Sequence, residues 1–102
     1  MADPQALDVI TEPARTLDVL ARADVLVIGS GPGGLSAALA AARADVSVLL
    51  LDRHGCFGGN ITQVGVEGFA WYRHENTIDS EGIGIEFEKR AKAAGAAQPE
   101  PQ

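Results

Sequence analysis

A group of closely spaced glycines and one carboxylate are the residues of this sequence best suited to bind a ligand. Gly29, Gly31 and Gly34 satisfy the G-x-G-x-x-G pattern. In such a turn the first glycine permits a tight exit from a strand, the second lets backbone approach a pyrophosphate, and the third lets a helix sit close on a sheet. Asp52 lies eighteen residues after Gly34. A carboxylate at that point can accept both hydroxyls of a ribose.

Two strands and a helix must hold these residues in place. Val25–Ile28 is a short apolar run typical of a buried parallel strand, and residues 46–51 form a second such run that ends at Asp52. Between them, residues 35–43 are nearly all strong helix formers. The stripe predicted to face the sheet is Leu35, Ala38, Leu39 and Ala42.

The amino end of this helix suits a diphosphate, because its first N–H groups lack helical partners and the helix dipole is positive there. The sequence therefore predicts an α/β fold, a Rossmann-like βαβ unit with a parallel sheet. The competing interpretation is a βαβ unit with a glycine-rich turn and no ligand. NAD and FAD share the ADP half, so this cradle does not decide between them.

The stretch after Asp52 favours FAD. It reads Arg53-His54-Gly55-Cys56-Phe57-Gly58-Gly59-Asn60, with a Gly-Gly pair six and seven residues beyond the acid. From about residue 17 to 94 the chain resembles the FAD-dependent oxidoreductases of the glutathione-reductase-like flavoprotein superfamily. The N-terminus of that family reads strand, G-x-G-P-x-G, Ala-rich helix, strand, acid-Arg, then Gly-Gly.

The resemblance implies that FAD is bound by the glycine turn and the acid, with Gly58 and Gly59 passing beside the cofactor toward its flavin end. It makes Asn60 and Thr62 candidates to hydrogen-bond the isoalloxazine or the ribityl chain, although ordinary loop polarity explains them equally well. The full predicted set of cofactor-binding residues is Gly29, Gly31, Pro32, Gly33, Gly34, Asp52, Arg53, Gly58, Gly59, Asn60 and Thr62.

Two positions depart from the family pattern. Asp45 stands at the turn between helix and second strand, where the family commonly has glycine, and aspartate tolerates a left-handed backbone better than most residues. Asp52 stands where many relatives have glutamate, and it is one methylene shorter. Neither departure argues against FAD.

The resemblance implies an oxidoreductase that transfers hydride through flavin N5 to or from a small-molecule substrate, which the motifs do not specify. No catalytic acid or base is supported. Two alternatives remain open. One is an NAD(P)-binding Rossmann domain, which the Gly58-Gly59 pair disfavours, and the other is a non-catalytic fragment that cannot bind a cofactor alone.

Composition excludes several other functions. The 102 residues carry a net charge of −6 without a Lys/Arg cluster, which argues against nucleic acid and membrane partners. No apolar run approaches the roughly 20 residues that span a bilayer, and no leader pattern opens the chain, so a cytoplasmic location is predicted. His54 and His74 lack metal-ligand spacing, so no metal site is predicted. The single cysteine, Cys56, excludes a dithiol relay within the chain and is most simply a loop residue, with covalent flavin attachment a remote option.

Along the chain, we predict three parts. Residues 1–22 form a mobile arm and a lead-in segment, in which residues 13–22 suit either a helix or a strand, and the resemblance favours an extended conformation. Residues 23–94 form a partial FAD/NAD(P)-binding domain that ends in a helix over residues 83–94. Residues 95–102 read as a linker or disordered end.

Two further predictions concern what surrounds this unit. Trp71, Tyr72, Arg73 and His74 could wall a substrate pocket, although such clusters more often form core or a domain contact. One βαβ unit leaves strand edges and one sheet face uncovered. We therefore expect an N-terminal fragment, a truncated product or one piece of an assembly, with the missing remainder or another subunit as its partner.

Overall fold

The computed structural model describes residues 8–66, 73–74, 77–78 and 81–97. Its central unit consists of strand β1 (Val25–Ile28), helix α1 (Pro32–Arg43) and strand β2 (Val48–Leu51). The two strands pair in parallel, with Val25 opposite Val48 and Ile28 opposite Leu51. This confirms the prediction of an α/β fold built on a Rossmann-like βαβ unit.

Among the described residues, four further elements follow this unit. A π-helix spans Asn60–Val64, and a two-residue antiparallel pair joins β3 (Arg73–His74) to β4 (Thr77–Ile78). Helix α2 (Ile83–Ala93) comes last. Residues 8–23 form neither helix nor strand, so the helical and strand interpretations of residues 13–22 are both wrong.

Strand β2 begins two residues later than predicted, and Ser47, directly before it, bonds to Asp24, directly before β1. The backbone N–H and hydroxyl of Ser47 both donate to Oδ2 of Asp24, at 2.9 and 2.7 Å, and the Asp24 N–H donates to Ser47 Oγ at 2.9 Å. The Ser47 hydroxyl is the main reason that the pKa of Asp24 lies below its ordinary value. We call this pair the Asp24–Ser47 clamp.

Helix α1 closely approaches the sheet at Gly34. A Cβ at Gly34 would lie 3.6 Å from Cγ1 of Val27, which places this point of the helix directly over β1. Ala38, one turn later, is partly buried as predicted, whereas Leu35 and Leu39 are 36% and 40% exposed and Ala42 is also exposed. The missing side chain at Gly34 draws this line of the helix closest to the strand, so the leucines flank the contact.

The sheet face opposite α1 has no cover among the described residues. Side chains alternate between faces along a strand, so Leu26, Ile28 and Leu51, the register partner of Ile28, project away from the Val27 side. All three are exposed, Ile28 by 79%. None of the described apolar side chains is buried, and the one fully buried side chain there belongs to Ser30.

Helix α2 carries two ion pairs along its own surface. Glu86 bonds Arg90 at 2.9 Å and Glu88 bonds Lys92 at 2.7 Å, each pair spaced i, i+4. Gly95, with φ +70°, ends the helix in the left-handed region, as expected for a C-terminal glycine.

A third ion pair joins α2 to α1. The Arg43 guanidinium donates to both carboxylate oxygens of Glu86, at 2.8 and 2.9 Å. Hydrogen bonding to Arg43 is the largest cause that lowers the pKa of Glu86 to about 2. This bidentate contact fixes the last turn of α1 against α2.

None of the helices in the described part of the chain has the length and apolar character needed to cross a membrane.

Candidate dinucleotide site

The glycine turn leads from β1 directly into the first turn of α1. Gly29 adopts φ +99°, which favours glycine, and its N–H donates to the Leu51 carbonyl at 2.7 Å. Gly31 precedes the helix, and Pro32 occupies its first turn. No side chain caps this helix end and its first turn contains no acidic residue. The amino end of α1 therefore combines a positive dipole end with N–H groups that lack helical partners, which suits an anionic group.

The packing around each glycine shows which of them the protein itself requires. A Cβ at Gly34 would lie 1.8 Å from the Gly29 carbonyl oxygen, so the close approach of helix and turn demands glycine there. A Cβ at Gly29, Gly31 or Gly33 would meet no atom within 4 Å. The described side chains thus leave open space over the turn. These residues fit the pyrophosphate of a dinucleotide, which needs bare backbone at this point.

Asp52 lies at the same end of the sheet as the turn and is bonded to it. The backbone N–H and hydroxyl of Ser30 both donate to its Oδ2, at 2.8 and 2.6 Å. Its Oδ1 accepts the His54 N–H at 2.8 Å. The Ser30 hydroxyl is the largest cause that lowers the pKa of Asp52 to about 2, so the carboxylate is ionised at neutral pH. We call this pair the Ser30–Asp52 clamp.

This clamp was not predicted from the sequence and it restricts what Asp52 offers a ligand. A carboxylate has about four acceptor positions. Three are occupied within the chain, which leaves one on Oδ1. The sequence contained the signal for the clamp, since Ser30 and Asp52 lie just beyond the carboxyl ends of two paired parallel strands and such ends meet at one edge of a sheet.

The second glycine pair packs against the first turn. The Gly58 N–H donates to the Ser30 carbonyl at 2.9 Å, and a Cβ at Gly59 would lie 2.8 Å from Cα of Gly31. Both glycines adopt positive φ, +125° and +62°. Gly58 and Gly59 therefore support the back of the glycine turn directly, a role that the resemblance alone did not indicate.

The π-helix that follows holds this second pair in place. Thr62 donates its hydroxyl to the Phe57 carbonyl at 2.7 Å, and its side chain occupies the space that a Cβ at Gly58 would need. Gln63 donates to Cys56 Sγ at 2.9 Å, which agrees with the interpretation of Cys56 as a loop residue. The hydroxyl proton of Thr62 is thus committed within the protein, whereas the side chain of Asn60 is exposed.

The remaining predicted site residues are peripheral or undescribed. Arg53 is exposed, and its Nε lies 3.4 Å from Nε2 of His54. The parts of the chain that the structure describes contain no cluster of three or more His, Cys, Asp or Glu residues able to hold a metal ion. Trp71 and Tyr72 of the predicted pocket wall lie outside the described residues, as do the side chains of Arg73 and His74.

Comparison with a family model identifies the family of this chain. The model described as "FAD dependent oxidoreductase" matches residues 24–102, which include the whole βαβ unit with its glycine turn and the Gly58-Gly59 pair. The chain belongs to the FAD dependent oxidoreductase family. FAD is therefore its cofactor.

Individual relatives match the same region. The sarcosine oxidase subunit alpha of Corynebacterium sp. (strain P-1) is 47% identical over 55 residues, which are 54% of this chain and 6% of that protein. The thiamine thiazole synthase of Methanococcus aeolicus is 38% identical over 68 residues, 65% of this chain and 26% of that protein. The mitochondrial dihydrolipoyl dehydrogenase of Macaca fascicularis is 44% identical over 54 residues, 52% of this chain and 11% of that protein.

The chain therefore spans between 6% and 26% of the length of these relatives. No solved structure matches it significantly.

Proposed function

We propose that this chain is the ADP-binding part of an FAD-dependent oxidoreductase, with the cofactor pyrophosphate on the glycine turn and the adenosine ribose at Asp52. The observation that carries the proposal is the open space at Gly31 and Gly33, beside the uncapped amino end of α1. Packing alone requires glycine at Gly34, and a φ of +99° favours it at Gly29, but neither reason applies to Gly31 or Gly33. The bare backbone at the other two positions is explained by a ligand that approaches it closely.

The residues act by binding and orienting the cofactor. The N–H groups in the first turn of α1 would donate to the pyrophosphate, and the free position on Asp52 Oδ1 would accept one ribose hydroxyl. Gly58 and Gly59 would keep the turn in its binding conformation through their contacts with Ser30 and Gly31. Pro32, Arg53, Asn60 and Thr62 remain in the proposed set of cofactor-binding residues, although Thr62 donates its hydroxyl to Phe57.

A bound flavin supplies hydride transfer with a substrate through its N5 atom. The chain contributes affinity, orientation and a fixed negative charge at Asp52. We propose no catalytic acid or base, because the described residues place no such group in a position that the geometry supports.

We further propose that additional protein covers the exposed sheet face of Leu26, Ile28 and Leu51 and completes the flavin and substrate sites. Either a longer form of this chain or another subunit would serve, and the relative from Corynebacterium is by its name a subunit. The predicted substrate is a small molecule. The cytoplasmic location remains a prediction from composition.

Titration of the 102-residue chain with FAD, followed by flavin fluorescence, tests the site. The informative variant is Gly31→Ala, because φ at this residue is −64° and the new Cβ would meet no protein atom within 4 Å. We expect its stability to change by no more than about 1 kcal/mol, the scale of an N-cap substitution. Its affinity for FAD should fall at least about tenfold, because the methyl group enters the space over the turn.

The matched control is Gly55→Ala, which adds the same group in open space outside the turn. This control should bind FAD as the unmodified chain does. Unchanged affinity of Gly31→Ala would contradict the placement of the pyrophosphate. Uptake of NAD with no uptake of FAD would contradict the assignment of the dinucleotide.

A further inference from the structure

Ser30 connects three segments of the candidate site. Its N–H and hydroxyl donate to Oδ2 of Asp52 after β2, and its carbonyl accepts the Gly58 N–H from the second glycine pair. Its relative exposure is 0%, so its hydroxyl has no competing bond to bulk water. Ser30, in the glycine turn, therefore contacts both Asp52 and the Gly58-Gly59 pair.

We infer that Ser30 is a positioning residue for FAD, whose hydroxyl holds the Asp52 carboxylate in the orientation that leaves one acceptor position of Oδ1 for the ribose. The inference rests on the proposed function, since it assumes that Asp52 binds the ribose. Both protons that Ser30 donates go to one oxygen, and the His54 N–H goes to the other. The carboxylate is therefore fixed at both oxygens before any ligand arrives.

A second Ser–Asp pair, away from the glycine turn, offers a comparison within the same sheet. In the Asp24–Ser47 clamp, the N–H and hydroxyl of the serine likewise donate to a single Oδ2, at 2.9 and 2.7 Å. It lies at the opposite end of the same two strands, and both of its residues are exposed. The chemistry is the same at the two ends, but only the Ser30–Asp52 clamp adjoins the glycine turn.

Electrostatics agrees with this geometry. The Ser30 hydroxyl is the largest contribution that lowers the pKa of Asp52, ahead of the N–H bonds from His54 and Ser30. Of the described titratable groups, His54 also lowers this pKa through its charge, and residues 29–34 contain no ionisable side chain. Loss of the hydroxyl should leave the carboxylate held by two backbone N–H bonds instead of three donors, and should raise its pKa.

A double-mutant cycle on FAD affinity tests the inference, using the full chain and the variants Ser30→Ala, Asp52→Ala and the combination of both. We expect Ser30→Ala to weaken FAD binding roughly tenfold, the scale of one well-formed hydrogen bond. Asp52→Ala should weaken it at least as much. In the Asp52→Ala background, removal of the hydroxyl should cause no further loss, because Ser30 acts through that carboxylate.

Ser47→Ala is the matched control, since it removes the equivalent hydroxyl at the far end of the strands and should leave FAD affinity unchanged. A second readout is the carboxyl carbon resonance of Asp52, followed by NMR during acid titration. The pKa of Asp52 should rise in Ser30→Ala and stay the same in Ser47→Ala. A purely structural role for Ser30 would weaken FAD binding without this coupling to Asp52.

The outcomes separate the two proposals. If Asp52→Ala weakens binding but Ser30→Ala does not, the inference fails and the proposed function stands. If Ser30→Ala causes the same loss with and without Asp52, Ser30 acts independently of the carboxylate and the inference also fails. If Asp52→Ala binds FAD normally, the proposed ribose site is wrong.

Should Ser30→Ala fail to fold, the comparison passes to Ser30→Thr and Ser30→Val, which have nearly the same shape and differ in the hydroxyl. Stronger FAD binding by the threonine variant would support the inference. Equal binding by the two would overturn it.

Discussion

Two adjacent glycines in the first turn of α1 should respond in opposite ways to substitution by alanine. A Cβ at Gly33 would meet no atom within 4 Å, whereas a Cβ at Gly34 would lie 1.8 Å from the Gly29 carbonyl oxygen and 2.8 Å from its carbon. Both obstructing atoms belong to backbone. These two atoms cannot move away by rotation of a side chain.

The magnitude follows from how firmly Gly29 is held. Its N–H donates to Leu51 at 2.7 Å, so the turn is tied to β2 and relief must come from movement of α1 by more than 1 Å. Such movement also opens the contact between Gly34 and Val27. Overpacking of this kind costs about 1–3 kcal/mol. The better helix propensity of alanine returns at most about 1 kcal/mol, so Gly34→Ala should be destabilised overall.

Gly33→Ala gains the same propensity without a clash and should be more stable than the unmodified chain by up to about 1 kcal/mol. Urea unfolding of the FAD-free chain, followed by circular dichroism, measures both variants under identical conditions. The unfolding midpoints should fall in the order Gly33→Ala, unmodified chain, Gly34→Ala. Equal stability of the two variants would refute the close packing of α1 on the turn, and with it the position proposed for the pyrophosphate.

Two further predictions concern acid pH and the turn before β2. The pKa values of Asp52 and Glu86 fall to about 2 in the folded chain, from ordinary values of 3.8 and 4.5. The unfolded chain therefore takes up protons first, so the stabilisation from these groups is complete above about pH 4.5 and is lost as the pH falls toward 2. Urea midpoints measured from pH 5 to pH 2.5 should decline, less steeply in Ser30→Ala, and a flat profile would contradict the bonding of both carboxylates. Asp45 adopts φ +58°, which glycine tolerates better than aspartate and valine tolerates worse. Asp45→Gly should therefore raise the free energy of unfolding by about 0.5–1 kcal/mol, and Asp45→Val should lower it. A destabilised glycine variant would contradict the left-handed turn.

Features that depend on neighbouring residues were predicted well from the sequence. Strand β1 is Val25–Ile28 as predicted, and α2 differs from its prediction by one residue at its end. The left-handed backbone at Asp45 was also expected. Each of these follows from side chains within about four positions of one another, where periodicity and turn chemistry act directly.

Contacts between distant segments could not be predicted in the same way. The bond of Arg43 to Glu86 joins residues 43 positions apart, and no local pattern indicates it. The pairing of Glu86 with Arg90, in contrast, follows from their i, i+4 spacing on one helix. The π-helix is a second example, since it depends on Gly58 and Gly59 being held against the first turn. For the proposed site, the structure places the glycine turn and Asp52 at one end of the two strands, as expected from the sequence. The sequence did not show that Asp52 is already bonded to Ser30.

The two Ser–Asp clamps connect the register of the sheet to the geometry of the site. A pair of four-residue parallel strands with exposed Leu26 and Ile28 has little buried apolar area to fix its alignment. Because one clamp closes each end of the pair, a slip of one residue would separate Ser47 from Asp24 and Ser30 from Asp52 together. The bonds that resist this slip at the carboxyl end are the same bonds that orient the Asp52 carboxylate beside the glycine turn. Correct pairing of β1 with β2 therefore also sets the position of the carboxylate that we propose as the ribose acceptor.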